Sequence, residues 1–207
     1  LDALKKLTNI QSEVSSHYFI KNNGDIITLV PDLYIAWHAG KSSWKNFKLL
    51  NKNSIGIEVN NPGHQFNYRK FTKKQINSIL KLSKILINKF KIEPKNILGH
   101  SDIAPNRKKD PGEKFPWKIL AKSNLAKWHT LNENELKKDR SIRLNEIEES
   151  KFLENLYIIG YYRIKKLNYN SNKKNLLKAF QRRFRQSLIN GKSDKECLLI
   201  SKNLLKS

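Results

Sequence analysis

The chain has 207 residues, of which 38% are hydrophobic, and a formal net charge of +23. This length suits one or two domains with a sizeable core, and no run of eighteen apolar residues occurs, so we expect no membrane-spanning segment and no signal peptide. The charge is nearly all lysine, which fits either the codon bias of an AT-rich genome or attraction to an anionic polymer. No nucleic-acid-binding motif accompanies it, and we expect no nucleic-acid partner.

The first sixty residues predict a short helix and three strands. Residues 3–7 are expected to form the helix. Residues 18–21 and 26–30 read as the strands of a hairpin, because the intervening Asn-Asn-Gly-Asp supplies the positive-φ positions of a tight turn. Residues 54–59 predict a third strand whose alternation sends two isoleucines into the core and turns Glu58 toward a cleft.

The following segment predicts a long helix and then a short strand. Residues 71–90 carry apolar side chains at helical spacing, and Thr72 with Gln75 three residues later forms a capping box. The short apolar run at 96–98 is expected to present His100 from the end of a strand.

A Pro- and Gly-rich loop from Gly99 to Gly112 combines a histidine, a lysine and a carboxylate. The neutral imidazole of His100 and the carboxylate of Asp110 are ordinary zinc ligands. Lys108, two residues before that carboxylate, can face the same cavity and stabilise a developing oxyanion. This pattern indicates a catalytic loop, although His100 and Asp110 could instead be a hydrogen-bonded pair that stiffens the loop.

This loop resembles the signature of the zinc-dependent N-acetylmuramoyl-L-alanine amidases, a family that includes peptidoglycan recognition proteins. Three other segments of residues 10–120 resemble the family in the same order: SSHY at 15–18, AWHAG at 36–40 and NSIGIE at 53–58. The resemblance implies a zinc enzyme that hydrolyses the amide between N-acetylmuramic acid and L-alanine in peptidoglycan or muropeptides.

The resemblance also implies roles for individual residues. His100 and Asp110 would bind Zn²⁺, Glu58 would take a proton from the attacking water, and Lys108 would neutralise the tetrahedral intermediate. The substrate-binding residues would be Trp37, His38 and Arg107. For His38 the alternative is loop packing. His17, between apolar neighbours on a strand, is predicted to be a core histidine rather than a ligand.

One departure from the family pattern concerns the first zinc ligand. The family takes it from a histidine at the end of an early strand, and no histidine precedes His17 in this chain. With the start at Leu1 and no methionine, we expect a piece of a longer product without that strand. Two protein ligands are few for catalytic zinc, so the chain binds zinc weakly, is completed by a separate fragment, or is an inactive remnant.

The last third of the chain predicts a linker and a helical unit. Residues 122–150 are highly charged and weakly periodic, and three helices are expected at 152–159, 173–184 and 193–204, the last capped by Ser193. The segment LKAFQRRFR at 177–185 resembles the AFQ helix of small peptidoglycan-binding domains, with a plain helical tail as the alternative. Its arginines would face anionic wall polymer or water. Cys197, the only cysteine, is predicted to fill the core.

Together these observations predict an α/β fold, a mixed central sheet flanked by helices, followed by a small three-helix domain. The expected domains are an amidase-like unit at 1–122, a linker at 123–148 and a peptidoglycan-binding-like unit at 149–207. The two-domain order resembles periplasmic, lipoprotein-type amidases, so we expect a monomer in the periplasm or cell envelope, with the cytoplasm as the alternative. Membrane anchoring would require a missing N-terminal segment. The alternative function is a peptidoglycan-binding protein without catalysis.

Overall fold

The structure is a computed structural model that describes residues 2–164 and 167–206. A small mixed sheet and a set of helices follow one another along the chain. The strands are β1 (Tyr18–Ile20), β2 (Ile26–Thr28), β3 (Ser43–Trp44), β4 (Phe47–Lys48) and β5 (Ile57–Val59). The helices are α1 (Asp2–Thr8), α2 (Lys73–Phe90), α3 (His100–Ile103), α4 (Trp117–Lys122), α5 (Glu133–Leu136), α6 (Glu146–Ile159), α7 (Tyr169–Phe184) and α8 (Lys195–Lys206).

The central sheet has the order β2-β1-β5. β1 pairs antiparallel with β2, which confirms the predicted hairpin, and parallel with β5, so that Phe19 lies opposite Glu58. The parallel pairing requires a crossover between β1 and β5. That crossover contains the separate β3-β4 hairpin and the AWHAG segment, and it brings His38 to the same cavity as Glu58.

Helix α2 covers the sheet and begins where the sequence predicts. Thr72 and Gln75 form the capping box, each side chain bonding to the backbone of the other. Ile79, Leu82 and Leu86 are buried in one apolar cluster with Ile20 of β1. The burial of this face against the sheet is what holds α2 in place.

The segment before His100 differs from the prediction. Residues 94–96 form a 3-10 turn, Ile97 and Gly99 are extended, and His100 is the first residue of the one-turn helix α3. The expected strand end at His100 is therefore wrong. An extended segment becomes a strand only with a hydrogen-bonded neighbour, and the space beside residues 97–99 is a cavity rather than a strand.

The charged segment at 123–148 contains the short helix α5 and a 3-10 turn at Lys137–Asp139. Several of its side chains are buried, namely Leu125, Ala126, His129 and Leu136. Leu125 and Ala126 belong to the α2 cluster, and Leu136 belongs to the cluster of the C-terminal helices. The segment thus contacts both halves of the chain.

Helices α6, α7 and α8 form the C-terminal unit around Phe152, Phe180 and Ile200. The same apolar cluster includes Ala39 and Trp44 from the crossover, and the Trp44 ring packs against Tyr161 with 5.0 Å between ring centroids. The C-terminal helices therefore share a core with the first half of the chain. Over the described ranges, no helix combines the length and apolar character needed to cross a bilayer.

The start of α8 corrects one predicted contact. Asp194, not Ser193, caps this helix, because its Oδ1 accepts the Cys197 amide at 3.0 Å. The Ser193 hydroxyl instead donates to Glu149, and the Glu196 carboxylate accepts from Arg140. Cys197 is fully buried, in agreement with its predicted core position.

Candidate active site

The backbone around His100 is held at both ends of the catalytic loop. Gly99 is buried, and a Cβ at this position would lie 2.7 Å from the Pro111 ring. A larger residue would therefore push the beginning and the end of the loop apart. The Ser101 amide donates to the Asp110 carbonyl at 2.8 Å. This closure brings together two side chains that are ten positions apart in the sequence.

The His100 imidazole is fixed through both of its nitrogens. Nε2 lies 3.2 Å from the Ala39 carbonyl, and Nδ1 lies 3.0 Å from Asp110 Oδ2. Because a carbonyl only accepts, Nε2 carries the proton in the neutral ring, and Nδ1 then directs a lone pair toward the carboxylate. Two acceptors at this distance repel each other, and a proton or a cation bound between Nδ1 and Oδ2 would remove the repulsion.

Asp110 favours the ionised form. Burial opposes ionisation, but a protonated His100, through its Nδ1–H hydrogen bond and its charge, together with Lys108, holds the pKa of Asp110 below its usual range. An ionised carboxylate is the form that ligates a metal.

Glu58 of β5 lines the same cleft as His100 and Asp110. Solvent reaches its side chain through the cleft. Protein atoms nevertheless surround the carboxylate, and this desolvation, increased by repulsion from Asp110 and opposed by Lys108, raises the pKa of Glu58 to about 7. A carboxyl with a pKa near neutrality can both accept and return a proton.

A cavity of 410 Å³ lies on the other side of His100. It brings together five predicted site residues, Trp37, His38, His100, Arg107 and Lys108. Trp37 is 54% exposed, so its ring is available to a ligand. The Arg107 guanidinium donates to the carbonyls of Ala39 and Lys41, which ties it to the cavity wall and limits its reach.

His38 and His17 lie side by side with 5.4 Å between ring centroids. His38 packs against Gly56, where a Cβ would approach the ring to 2.3 Å. Burial, together with the neighbouring His17 and His100 rings, lowers the pKa of His38 to about 4, so this ring is neutral at pH 7. His17 is 1% exposed, and its nitrogens contact the Gly56 amide and the Tyr34 carbonyl, in agreement with the predicted core histidine.

A second cavity, of 530 Å³, separates β5 from residues 97–99. β5 is at the edge of the sheet, and the cavity wall is largely apolar, with Ile57, Val59, Leu86 and Leu98 among its residues. His38, Glu58, His100 and Asp110 lie along the same cavity. The cavity is partly open to solvent, and it is the cleft through which solvent reaches Glu58.

His100 and Asp110 fit a zinc ion in type and position. Zinc contacts imidazole nitrogen and carboxylate oxygen at about 2 Å, so one ion can reach both Nδ1 and Oδ2, and the Ala39 carbonyl supplies the outer contact that fixes a metal-bound imidazole. Two protein ligands are, however, fewer than a catalytic zinc ion normally has. Among residues 2–164 and 167–206, no group of three or more His, Cys, Asp or Glu side chains could hold a metal ion. A catalytic zinc site normally has three protein ligands.

Several basic and aromatic side chains that could have faced solvent or a ligand are buried in the structure. Arg182, Arg183 and Arg185 are buried, so the expectation that they face wall polymer or water is wrong. Arg183 pairs with Asp102, and Arg185 pairs with Asp194 and Glu196. Trp44 and Trp117 are buried core residues, in contrast to the exposed Trp37.

Two contributors to the site carry no signal in the sequence. The Asn51 side-chain oxygen accepts the amides of Ala39 and Gly40 at 2.7 and 3.3 Å, and thereby shapes the wall beside His100. Asp102 is 1% exposed and bonds to the Gly99 amide at 2.8 Å. Neither could be distinguished from an ordinary surface Asn or Asp before the fold was known.

The mixed sheet flanked by helices, and a cleft lined by His100 and the carboxylates of Glu58 and Asp110 with Lys108 in the adjoining cavity, define a hydrolase of the amidase type. The chain belongs to the N-acetylmuramoyl-L-alanine amidase family, whose pattern its residues 2–113 match. It is similar to the amidase AmiD of Escherichia coli K12, with 35% identity over 210 residues that cover 96% of this chain and 76% of AmiD.

Two solved structures extend the similarity to nearly the whole chain. E. coli AmiD in complex with the substrate anhydro-N-acetylmuramic acid-L-Ala-D-gamma-Glu-L-Lys matches with a TM-score of 0.87 and 34% identity, over 99% of this chain and 83% of AmiD. AmpDh3 of Pseudomonas aeruginosa in complex with an anhydromuramic pentapeptide matches with a TM-score of 0.82 and 30% identity, over 99% of this chain and 86% of AmpDh3. Both matches confirm the predicted fold class and include the C-terminal helices.

Proposed function

We propose that this chain hydrolyses the amide between N-acetylmuramic acid and L-alanine, with soluble anhydro-muropeptides as its preferred substrates. The observation that carries the proposal is the convergence of Glu58, His100 and Asp110 on one cleft, with Lys108 close enough to influence both carboxylates. The preference for anhydro-muropeptides is supported by the ligands of AmiD and AmpDh3.

Glu58 is the proton carrier in this proposal. A water molecule adds to the amide carbon, and the Glu58 carboxylate takes the proton that the water loses. The carbon–nitrogen bond then breaks, and Glu58 returns the proton to the alanine nitrogen, which leaves as an amine. A pKa of about 7 suits both transfers near neutral pH.

Lys108 and Trp37 act on the substrate. Lys108 lines the cavity beside His100, where its ammonium can neutralise the oxyanion of the tetrahedral intermediate. Trp37 offers an exposed ring for the apolar face of the sugar or the lactyl group. The neutral His38 ring lines the same cavity as Lys108 and Trp37.

Zinc is the cofactor that we propose, with His100 Nδ1 and Asp110 Oδ2 as two of its ligands. When bound, zinc would polarise the amide carbonyl and lower the pKa of a water molecule. The residues described here supply no third ligand, so we expect weaker zinc binding than at a site with three protein ligands.

The test of the proposed function is direct. The chain is incubated with anhydro-N-acetylmuramyl-tripeptide and zinc, and mass spectrometry follows release of the tripeptide with a free alanine amine. Release that stops in Glu58→Gln but continues in the control Glu154→Gln, an exposed carboxylate paired with Arg163, is the expected result. No release under any zinc concentration would contradict catalysis by this chain.

The incomplete ligand set favours one second candidate, a muropeptide-binding protein without catalysis. The cavity walls that would hold substrate do not depend on zinc. Calorimetric titration with the same tripeptide, in the presence of a chelator, separates the two. Tight binding without release, with or without zinc, would establish the binding protein.

We propose that the chain works as a monomer in the periplasm or cell envelope, where peptidoglycan is found, rather than on nucleic acid. Fractionation of cells that produce the protein tests the location, and recovery with cytoplasmic markers would contradict it. Sedimentation tests the monomer. Salt-sensitive DNA binding together with indifference to peptidoglycan would replace the substrate proposed here.

A further inference from the structure

A buried polar network joins the C-terminal helices to the helix that begins with His100. At its centre is Asp102, whose Oδ2 accepts from Arg183 Nη1 at 2.8 Å and whose Oδ1 accepts from the Tyr161 hydroxyl at 2.7 Å. All three residues are at most 2% exposed. Polar groups removed from water destabilise the fold unless each of them makes hydrogen bonds within the protein. Here each oxygen of the Asp102 carboxylate accepts at least one hydrogen bond.

The network holds the backbone that leads into His100 at two points. Arg183 Nη2 donates to the Ile97 carbonyl at 2.8 Å, three residues before His100. Asp102 Oδ2 accepts the Gly99 amide at 2.8 Å, one residue before it. A single guanidinium and a single carboxylate therefore fix the entry to α3, which sets the direction of the His100 ring.

The guanidinium itself is held rigidly. It lies over the Trp117 ring with 4.1 Å between its central carbon and the ring centroid, so the aromatic face limits its movement. Burial raises the pKa of Tyr161 well above its usual range, so this hydroxyl stays a proton donor. Neither Arg183 nor Tyr161 is among the residues that line the two cavities.

We propose that Arg183 and Tyr161 are positioning residues for His100 and act through Asp102. The C-terminal helical unit thereby builds part of the active site, in addition to any contact it makes with peptidoglycan. Their effect on the backbone around His100 does not depend on what the protein catalyses, whereas their effect on turnover rests on the proposed function.

Two variants loosen the network by small steps. Tyr161→Phe removes one hydroxyl and keeps the ring in the core. Arg183→Lys keeps the charge but cannot reach Asp102 and the Ile97 carbonyl together. The matched controls are Tyr18→Phe, which removes the hydroxyl that bonds to Asp32, and Arg185→Lys, which alters an equally buried arginine paired with Asp194 and Glu196.

Amide hydrogen exchange of the full chain is the primary measurement, because it requires neither zinc nor turnover. We expect exchange at residues 97–103 to accelerate about tenfold or more in Tyr161→Phe and Arg183→Lys, since each loses hydrogen bonds to a charged group. The controls should change exchange only around their own partners. Unchanged exchange at 97–103 in both folded variants would overturn the proposal.

Kinetics on anhydro-N-acetylmuramyl-tripeptide supply the second measurement. We expect kcat to fall about 10- to 100-fold with little change in KM, which is the effect seen when groups behind a reactive ligand are removed. If the parent chain releases no tripeptide, the proposed function fails, and accelerated exchange still supports the positioning role. Normal kcat alongside normal exchange would remove that role entirely.

Discussion

His100 Nδ1 and Asp110 Oδ2 lie 3.0 Å apart at the edge of the cleft. The Ala39 carbonyl contacts the other ring nitrogen, and the hydrogen bond from the Ser101 amide to the Asp110 carbonyl closes the loop that holds the pair. This geometry explains how a histidine and an aspartate ten residues apart could bind one ion. Among residues 2–164 and 167–206 no third ligand joins them, which makes the zinc affinity of this chain a specific quantity to measure.

Glu58→Gln is expected to lower kcat about 100-fold or more, because the amide cannot carry the proton from water to the leaving nitrogen. Binding of the anhydro-muropeptide should be retained, since glutamine keeps the shape of the side chain. Stopped assays for kcat and calorimetry for binding measure the two effects separately. A variant that turns over normally would exclude Glu58 as the proton carrier.

Trp37→Ala is expected to raise KM or the dissociation constant for muropeptide by about tenfold, because an exposed aromatic face is lost without a change in the core. The control is Tyr34→Ala, an aromatic residue that is 70% exposed and not among those lining the cavities. Equal effects of both substitutions on binding would contradict a specific role for Trp37. Thermal melting should be similar for all three proteins.

His129 predicts a pH dependence of stability. Burial lowers the pKa of this histidine, and its Nδ1 has no hydrogen-bond partner among residues 2–164 and 167–206, so the folded state favours the neutral ring. The unfolded chain therefore binds more protons than the folded chain below about pH 6.5. The stability that depends on neutral His129 is complete above that pH and is lost as the pH falls toward the lowered pKa.

The measurement for His129 is urea unfolding at several pH values between 7.5 and 5, for the parent chain and for His129→Gln. Glutamine does not titrate, so the parent should lose more stability on acidification than the variant. Parallel stability curves for the two proteins would contradict the assignment of this pH dependence to His129.

Cutting the chain after residue 122 is expected to prevent stable folding. Trp44 and Ala39 share their core with the C-terminal helices, and Asp102 would lose Arg183 and remain a buried carboxylate without its cation. Removing one partner of a buried ion pair is strongly destabilising. Near-UV circular dichroism and a thermal melt measure the outcome, and a cooperative melt of the shortened chain would show that residues 1–122 form an autonomous domain.

Local patterns in the sequence predicted much of the fold. The Thr72–Gln75 capping box located the start of α2, the Asn-Asn-Gly-Asp turn identified the β1-β2 hairpin, and the apolar spacing of the last third gave α6, α7 and α8. These are features in which neighbouring residues determine the structure. The position of His100 was less predictable, because its strand-like approach lacks a partner strand, which only the tertiary structure reveals.

The candidate site was predicted in its residue types, and the structure brings those residues to one region. The supporting side chains were not predictable in the same way. Nothing in the sequence distinguishes Arg183 from a surface arginine. Its role depends on Asp102, which is 81 residues away in the sequence. Long-range contacts of this kind leave no periodic signal, so the sequence predicts only that these arginines face wall polymer or water.

A zinc titration of the purified chain, with metal content and tripeptide release recorded on the same samples, tests whether His100 and Asp110 hold a zinc ion that supports amide hydrolysis. Asp110→Ala and the neighbouring control Lys109→Ala are treated identically. We expect one zinc per chain at saturation, and release of tripeptide, for the parent and for Lys109→Ala, with both lost in Asp110→Ala. If zinc content and release were absent from the parent, or unaffected by Asp110→Ala, this pair of residues would not be the site of a catalytic zinc ion.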